Sequence, residues 1–468
     1  MSPLRRRALP LLLLGLALLA PGIVAAEPLR STTDEDLIRY ALDNSSRIAI
    51  AQLAVENGAV TVRQARARRA PQISGSLDFS YLSNPLDPVI IRTGEFGIYE
   101  LGGLTTAVPP TDVRVFDGME PTLFQLGVVL EQPLYTWGKL DLGAQLAGDL
   151  LRLREAEVRQ AEQELTVDVV VAAVTVRHLL LMRQIADRQI ALTGELVSLV
   201  RSAFDTGAVV RTDVLEAQVA ARQATLATME ITNQMNVSLV TLRKLTGLPD
   251  LQAEHLAPLT GADGPPPELR PVDDLVNAAL SGNAAIVALE RARVAAETQR
   301  LLASATARTR PDFGLKLDLS LSGPRVPLET DWYGKDEFNL IASIGLQSTL
   351  YDAGLRRADA RLAELDEATV AEQIVEAEAS LAAEIRKLAF TAELSIARIA
   401  YLEANAGLLA ERLAVREREF DAGVGGRDSV VRAELATLAN ELEMVGEFLT
   451  LRGSLATLEV LAGAPASR

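Results

Sequence analysis

The chain has 468 residues and a formal net charge of −16, from 46 Lys and Arg against 62 Asp and Glu, and it contains no Cys and two His. The absence of Cys excludes disulfide scaffolds, thiolate metal sites and a lipid-modified N-terminal Cys, and two His are too few for a His-based metal cluster. The acidic balance argues against nucleic acid as a partner, because phosphate binding needs clustered Lys and Arg.

Residues 1–26 have the pattern of a secretory signal peptide. Three consecutive Arg at residues 5–7 precede an apolar run at residues 9–20, and Val-Ala-Ala follows at residues 24–26. The apolar run is shorter than the roughly 20 residues that span a bilayer. We expect cleavage after Ala26, which leaves 43 basic against 62 acidic residues and a net charge of −19. We expect no transmembrane helix beyond this point, so any insertion into a membrane has to use strands.

Residues 33–70 are predicted to be helical and end before Pro71. After this proline, apolar and polar residues alternate at residues 77–81 and again at residues 124–131. Alternation over about ten residues is typical of a strand in a transmembrane barrel, although a half-exposed soluble hairpin has the same pattern. Residues 83–121, between the two strands, are predicted to form a long loop rich in Pro and Gly.

A Pro-Leu-Tyr-Thr-Trp-Gly segment at residues 133–138 separates the second strand from a long helix at residues 139–203. At 1.5 Å per residue, this helix is about 98 Å long. A turn at Gly207 leads to a returning helix at residues 212–246, about 52 Å long, which covers only half of its partner. The helix at residues 33–70 has the missing length and could stack end to end with the returning helix.

The chain matches itself at a single offset of 216 residues, which indicates a duplicated block. Residues 134–138, 204–207 and 241–249 recur at 350–354, 420–423 and 457–465. The predicted organisation is a signal peptide at 1–26, a first repeat at 27–250, a linker at 251–271 and a second repeat at 272–468. The second repeat is expected to contain a helix at 272–310, strands at 313–321 and 338–346, a loop at 322–337, and helices at 355–419 and 428–462.

The strand number bears on the oligomeric state. Each chain has four barrel-type strands, whereas the smallest single-chain barrels have eight, and open sheet edges are not tolerated in lipid. Two chains would give eight strands with a filled interior, and three would give twelve strands with room for a lumen.

Two features then carry a family resemblance: the strand-to-helix segment at residues 133–138, and the run from Phe204-x-x-Gly207 to Asp-Val-Leu-x-Ala-Gln at residues 213–218. Within the duplicated order of elements, they resemble the TolC family of outer-membrane efflux proteins over the whole mature chain. The resemblance implies a mainly α fold with a β-barrel part. Its parts are a 12-stranded barrel built by a trimer in the outer membrane of a Gram-negative cell, and a periplasmic α-barrel of long antiparallel helical hairpins.

The resemblance implies the function of an exit duct in tripartite efflux or type I secretion. The implied partners are two further copies of the chain, a periplasmic adaptor (membrane fusion protein), an inner-membrane transporter of the RND, ABC or MFS type acting through that adaptor, and outer-membrane lipid. No enzymatic activity, cofactor or metal is expected, because the sequence contains no nucleophile motif, phosphate-binding loop or metal-ligand spacing.

The resemblance also assigns roles to residues, since the family's two helix-hairpin turns dock the adaptor and form the closed entrance. The positions carried over by motif are Phe204, Gly207, Ala208, Asp213 and Leu215 in the first turn, and Phe420, Gly423, Val424, Val430 and Val431 in the second. Candidates for an acidic constriction are Asp213 and Asp428. The strand-to-helix junctions contain Pro133, Tyr135, Gly138, Tyr351 and Gly354.

Three points stay open at this stage. The two glycines could serve only to turn the chain between helices. The second turn has Ser429 where the first has Asp213, which puts an acidic ring in doubt; the net charge of −19 nevertheless favours a cation-selective lumen. The alternative functions are a periplasmic adaptor and a coiled-coil structural protein without channel activity.

Overall fold

A computed structural model gives the fold and describes residues 32–116, 118–119, 121–257, 268–323 and 338–463. The predicted signal peptide lies outside the described residues, as does the central part of the predicted linker. In the described part, the helices are α1 (Asp34–Asn44), α2 (Ser46–Ala67), α3 (Lys139–Asp205), α4 (Arg211–Thr246), a short 3₁₀ helix (Ala253–His255), α5 (Val272–Gly282), α6 (Ala284–Ala307), α7 (Leu355–Asp421) and α8 (Arg427–Ala462). The strands are β1 (Gln72–Tyr81), β2 (Val89–Ile91), β3 (Ile98–Leu101), β4 (Leu104–Ala107), β5 (Val113–Phe116), β6 (Thr122–Tyr135), β7 (Asp312–Gly323) and β8 (Phe338–Gln347).

The four long strands form one antiparallel sheet in the order β1-β6-β7-β8. Its register aligns apolar residues with apolar residues across the sheet, because side chains alternate between faces with a period of two. Leu77 pairs with Leu126, Leu126 with Leu321, and Leu321 with Phe338. The next row contains Ser76, Gly127, Ser320 and Asn339. One face of the sheet is therefore largely apolar and the other largely polar, as predicted, and the sheet is open in the single chain.

The predicted long loop at residues 83–121 contains two small hairpins that the sequence analysis missed. β2 pairs with β5, and β3 pairs with β4. Gly102 and Gly103, at the tip of the inner hairpin, have φ values of 62° and 85°. Two consecutive positive φ angles are what a two-residue hairpin turn requires, so the Gly-Gly pair was the available signal.

The prediction of one continuous helix before each strand pair is wrong, because each of these helices is broken in two. Ser45 separates α1 from α2, and Asn283 separates α5 from α6. The Asn283 side chain accepts hydrogen bonds from the backbone N–H groups of Ala285 (3.0 Å) and Ile286 (3.3 Å), which caps α6. The two helices are bent by 43° at this point. Extended backbone at one capping residue ends the first helix and starts the second.

The two 67-residue helices, α3 and α7, organise the helical part. Towards the hairpin turns, the packing order across the molecule is α4, α3, α8, α7; towards the sheet it is α2, α3, α6, α7. The side chain of Gln163 on α3 marks the change, because its Nε2 donates to the carbonyl of Val460 in α8 (2.9 Å) and its Oε1 accepts from Ala284 N in α6 (2.9 Å). The end of α8 and the start of α6 therefore meet against α3.

Helix α3 is more apolar than the sequence analysis allowed. Of the described helices, α3 contains an 18-residue stretch with a mean hydropathy of 1.8, which is long and apolar enough to cross a membrane. Helices α5 and α6 reach that length and hydropathy only when they are taken together as one bent span. However, 44% of the α3 stretch is buried inside the protein. Leu165, Val169 and Val176 belong to a core that also contains Leu37 of α1 and Leu242 of α4. The apolar stretch is therefore used for packing between helices.

His178 on α3 gives this packing a pH dependence. The side chain is 2% exposed, and Nδ1 donates to the carbonyl of Val174 at 2.8 Å. Burial, the largest cause, lowers the pKa of His178, and the nearby Arg452 and Arg177 lower it further. The folded state thus keeps the imidazole neutral at a pH where the unfolded chain, with an ordinary pKa of about 6.5, binds a proton.

We expect the protein to lose stability as the pH falls below about 6.5, because the unfolded state then binds more protons than the folded state. The measurement is the thermal unfolding midpoint of the detergent-solubilised protein between pH 7.5 and 5.5. His178→Gln should flatten this part of the profile. An identical slope in the variant would assign the pH dependence to other groups.

Candidate functional site

The first hairpin turn is a short loop between α3 and α4. Gly207 has a φ of 77°, and the backbone N–H groups of Gly207 and Ala208 donate to carbonyls of the last turn of α3, those of Phe204 (2.9 Å) and Ala203 (2.8 Å). The left-handed residue lets the helix end while its last carbonyls remain bonded. A tight turn results, on which Phe204 and Ala208 are exposed while Val209 packs against the core.

The second turn, between α7 and α8, has the same construction. Gly423 has a φ of 74°, and its N–H donates to the carbonyl of Phe420 at 2.9 Å. The N–H groups of Val424 and Gly425 both donate to the carbonyl of Glu419, at 2.9 and 3.0 Å. The repeat found in the sequence is therefore repeated in the turn geometry.

A Cβ at either glycine would meet no atom within 4 Å, so backbone strain alone decides the effect of Gly207→Ala and Gly423→Ala. We expect each change to cost about 1 kcal/mol, because an L-residue is disfavoured in the left-handed region. Hydrogen exchange should show faster opening at the substituted turn only. Unchanged exchange at both turns would contradict the strain argument. Gly143→Ala, at a helical glycine with equally open surroundings, is the control.

The predicted turn residues divide into an exposed group and a buried group. Phe204, Leu215, Phe420 and Val424 are 41, 49, 44 and 84% exposed. Val430 and Val431 are 1 and 0% exposed, so they cannot contact a partner directly. Val431 packs into a core with Leu196, Val200, Val214 and Ala217 of the first hairpin. The prediction that these two valines dock a partner is therefore wrong, because they pack inside the protein. The motif alone does not distinguish a docking residue from a packing residue.

The two acidic candidates already interact with their own helices. A carboxylate oxygen of Asp213 accepts from the backbone N–H of Val210 at 3.0 Å and caps the start of α4. Asp428 lies 3.8 Å from Arg432, one turn further along α8. Both carboxylates therefore have local structural roles at a helix N-terminus.

An ion pair between the repeats was missed by the sequence analysis. Arg427, at the start of α8, donates from Nε to Glu195 of α3 at 2.8 Å and from Nη1 to Glu434 at 3.1 Å. Its hydrogen bond with Glu195, the largest cause, raises the pKa of Arg427. Glu195 lies 232 positions away in the chain, so only the packing of α3 against α8 brings the pair together.

The strand-to-helix junctions lie at the end of the sheet that faces the long helices. Pro133 falls inside β6 and pairs with Gly314, followed by an irregularity in the register, so it precedes the turn itself. Gly138 caps α3 with a φ of 80°, and the preceding Trp137 has a φ of 56°. The indole N–H of Trp137 donates to the carbonyl of Pro311 at 2.8 Å, and its ring meets that of Tyr135 edge-on at 4.8 Å. These contacts tie the first junction to β7 of the second repeat.

The second junction uses an ion pair where the first uses a tryptophan. Gly354 caps α7 with a φ of 88° and follows Ala353 instead of Trp137. Asp352 accepts from Arg356 at 2.6 Å, and this hydrogen bond, the largest cause, lowers the pKa of Asp352. Tyr351 is 86% exposed. Each junction therefore has one tyrosine, Tyr135 or Tyr351, at the end of the sheet that faces the helices.

Both sides of the single chain end in open edges. β1 and β8 are the outer strands of the sheet, and α4 and α7 are the outer helices near the turns. Both outer helices carry exposed apolar residues at roughly heptad spacing, as in a coiled-coil seam. The α4 stripe is Leu215, Val219, Leu226, Met229, Val237 and Val240, and the α7 stripe is Phe390, Leu394, Tyr401, Leu408 and Val415.

A family comparison identifies the protein class. Residues 37–248, essentially the first repeat, match the model of the outer membrane efflux protein family. This part of the chain is similar to the outer membrane efflux protein family. The match confirms the resemblance found in the sequence and places the protein in the outer membrane as an efflux channel. No curated protein sequence matches the chain.

Solved structures of outer-membrane channels share the fold over nearly the whole chain. The match to CmeC of Campylobacter jejuni has a TM-score of 0.72 at 12% identity and covers 93% of this chain and 87% of that one. VceC of Vibrio cholerae gives 0.69 at 16% identity and covers 93% and 97%. MtrE of Neisseria gonorrhoeae in its open state gives 0.67 at 16% identity and covers 93% and 90%. CmeC and MtrE are outer-membrane channels and VceC is an outer-membrane protein, and none of the matches favours a periplasmic adaptor.

Proposed function

We propose that this protein is the outer-membrane exit duct of a tripartite efflux or type I secretion system and works as a homotrimer. The observation that carries the proposal is the pair of open edges, in the sheet and in the helical layer, on both sides of one chain. Edge strands with unpaired backbone groups cannot remain open in lipid, so copies of the chain have to pair β1 with β8.

The number of copies follows from the strands. Each chain contributes four, and three chains give a closed barrel of twelve strands with room for a lumen, whereas two chains give a filled barrel. The largely apolar face, with Leu77 and Leu340 65 and 61% exposed, then faces lipid. The polar face, with Ser76 and Asn339, lines the lumen.

The symmetric arrangement of three copies that pairs β1 with β8 also closes the helical layer. It brings the α7 stripe of one copy against the α4 stripe of the next and removes both from water. A shallow groove of about 450 Å³ along α4, beside Leu215 and Val219, can receive side chains of the α7 stripe. The twelve long and returning helices of three copies would then surround a periplasmic tunnel.

The hairpin turns are the part of this duct that a periplasmic adaptor can reach. Val424 is an exposed apolar residue at the second turn, opposite to the membrane end. We assign the docking of the adaptor to Val424 with Phe204, Phe420, Gly207, Ala208 and Gly423, whereas Leu215 belongs to the α4 stripe that the next copy covers. The inner-membrane transporter, of the RND, ABC or MFS type, then acts through the adaptor and makes no contact of its own in this proposal.

The proposal is tested by extracting the mature protein from fractionated outer membranes in mild detergent. We expect a particle with the mass of three chains and a discrete conductance in planar bilayers. The net charge of −19 further predicts a cation preference in the reversal potential under a salt gradient. A soluble periplasmic monomer would refute the duct, whereas an anion preference would refute only the charge argument.

A further inference from the structure

Six arginines gather where the helices meet the four-stranded sheet, and we call them the basic collar. They are Arg63, Arg66, Arg68 and Arg69 at the end of α2, and Arg308 and Arg310 just after α6. β1 begins at Gln72 and β7 begins at Asp312. Both Gln72 and Lys316 pair with Glu131, so the two strands begin at the same end of the sheet. The amide of Gln132 donates to the carbonyl of Arg69 at 2.8 Å, which fixes the end of the collar against β6.

The collar arginines lie in two segments of this acidic protein that contain no acidic residue. Many arginines on the long helices have a carboxylate one turn away, such as Arg154 with Glu157 and Arg361 with Glu364. The sequence contains no Asp or Glu at residues 57–77 or 298–311. In the collar, Arg69 pairs with Asp141, and Arg310 lies 4.8 Å from the centre of the Trp137 ring.

The other four arginines, Arg63, Arg66, Arg68 and Arg308, are exposed and have no ion-pair partner within the described part of the chain. Four solvent-facing guanidinium groups, three at the end of α2 and one just after α6, give this part of the surface a positive potential. A guanidinium group binds the oxygens of a phosphate in a bidentate manner. The collar is therefore suited to phosphate-bearing anions.

The position of the collar favours a lipid as the source of that phosphate. The apolar face of the sheet extends to this end of the strands, where Ile73 and Leu346 are 70 and 67% exposed. Tyr135 ends β6, Trp137 precedes α3 and Tyr351 lies between β8 and α7, so all three are at the helix–sheet junctions, and tyrosine and tryptophan are enriched where a bilayer meets water. A phospholipid has acyl chains for the apolar face and a phosphate for the collar, whereas a free phosphate ion matches only the arginines.

We propose that the basic collar binds the head groups of anionic phospholipids, of the phosphatidylglycerol class, in the membrane leaflet that faces the periplasm. This inference rests on the proposed placement of the strands in the outer membrane. It adds a lipid-binding role to a region of the duct that lies far from the hairpin turns.

The test is a competition between lipids on the intact mature protein. Detergent-extracted trimer is mixed with equal amounts of phosphatidylglycerol and phosphatidylethanolamine and repurified, and the bound lipid is quantified by mass spectrometry. We expect phosphatidylglycerol to be enriched about fivefold or more, the factor that one arginine near an anionic surface supplies. The variant R66Q/R68Q/R308Q should bind the two lipids nearly equally, and R66K/R68K/R308K should keep much of the enrichment.

The matched control is R154Q/R398Q/R416Q, which removes three exposed arginines of the helical part that lie away from the sheet, and it should leave the enrichment unchanged. An unenriched wild type would overturn the proposal. So would displacement of the lipid by excess inorganic phosphate, or a glutamine variant that alters the reversal potential but not the bound lipid. The mass and conductance of the same samples test the duct itself, so its failure is recognised separately.

Discussion

Replacing Leu394 and Leu408 with glutamate is expected to convert the trimer into monomers. Both leucines belong to the α7 stripe and are 53 and 49% exposed in the single chain, so about half of each residue is left for a neighbouring copy to cover. If the stripe is a seam between copies, each substitution removes about 0.7–1.5 kcal/mol of apolar burial, since only half of each side chain remains to be covered. Each also places a carboxylate in an apolar interface, where it has no partner. The six substitutions of a trimer should therefore prevent assembly.

The measurement is the particle mass in detergent together with the conductance in planar bilayers. L394E/L408E should have the mass of one chain and form no pores. The control L104E/V115E introduces the same charges at two exposed apolar positions, 75 and 60% exposed, in the small hairpins next to the sheet. It should remain trimeric and conduct. If L394E/L408E retains the mass of three chains, the α7 stripe is not the seam and another surface must join the copies.

The sequence predicted the long elements well because their signals are long and periodic. The 65-residue helices at residues 139–203 and 355–419 are observed as helices of 67 residues, extended at their C-terminal ends. The alternation of Leu and polar residues in β7 appears as a strand with one apolar face. Such patterns depend only on the geometry of the element and the side on which it is buried.

The parts that the sequence did not predict depend on single residues or on tertiary packing. The break at Asn283 depends on one side chain that caps the following helix, in a segment whose composition is otherwise helical. The burial of Val431 depends on α8 packing against α3 of the other repeat. The pair of Arg427 with Glu195 has the same origin. The same motif occurs in both turns, so the motif alone could not predict that Val431 of the second turn is buried.

Replacing Val424 with aspartate is expected to abolish adaptor docking without disturbing the duct. Val424 is 84% exposed at the second turn, and its backbone N–H bond to the carbonyl of Glu419 does not depend on its side chain. The folded chain should therefore tolerate the change. An exposed carboxylate in the docking surface would have to be desolvated on binding, which costs several kcal/mol when no partner is present.

The absence of Cys makes this docking measurable by site-specific cross-linking. A single Ala208→Cys in the exposed first turn should cross-link to a periplasmic protein with a helical hairpin and an inner-membrane anchor, identified by peptide mass spectrometry. Adding V424D should remove the adduct, while the trimer mass and conductance stay as in the wild type. A single Leu104→Cys, at the opposite end of the molecule, should give no adduct with that protein. If the adduct persists in V424D, the second turn does not contribute to docking, and the duct engages its adaptor through the first turn alone.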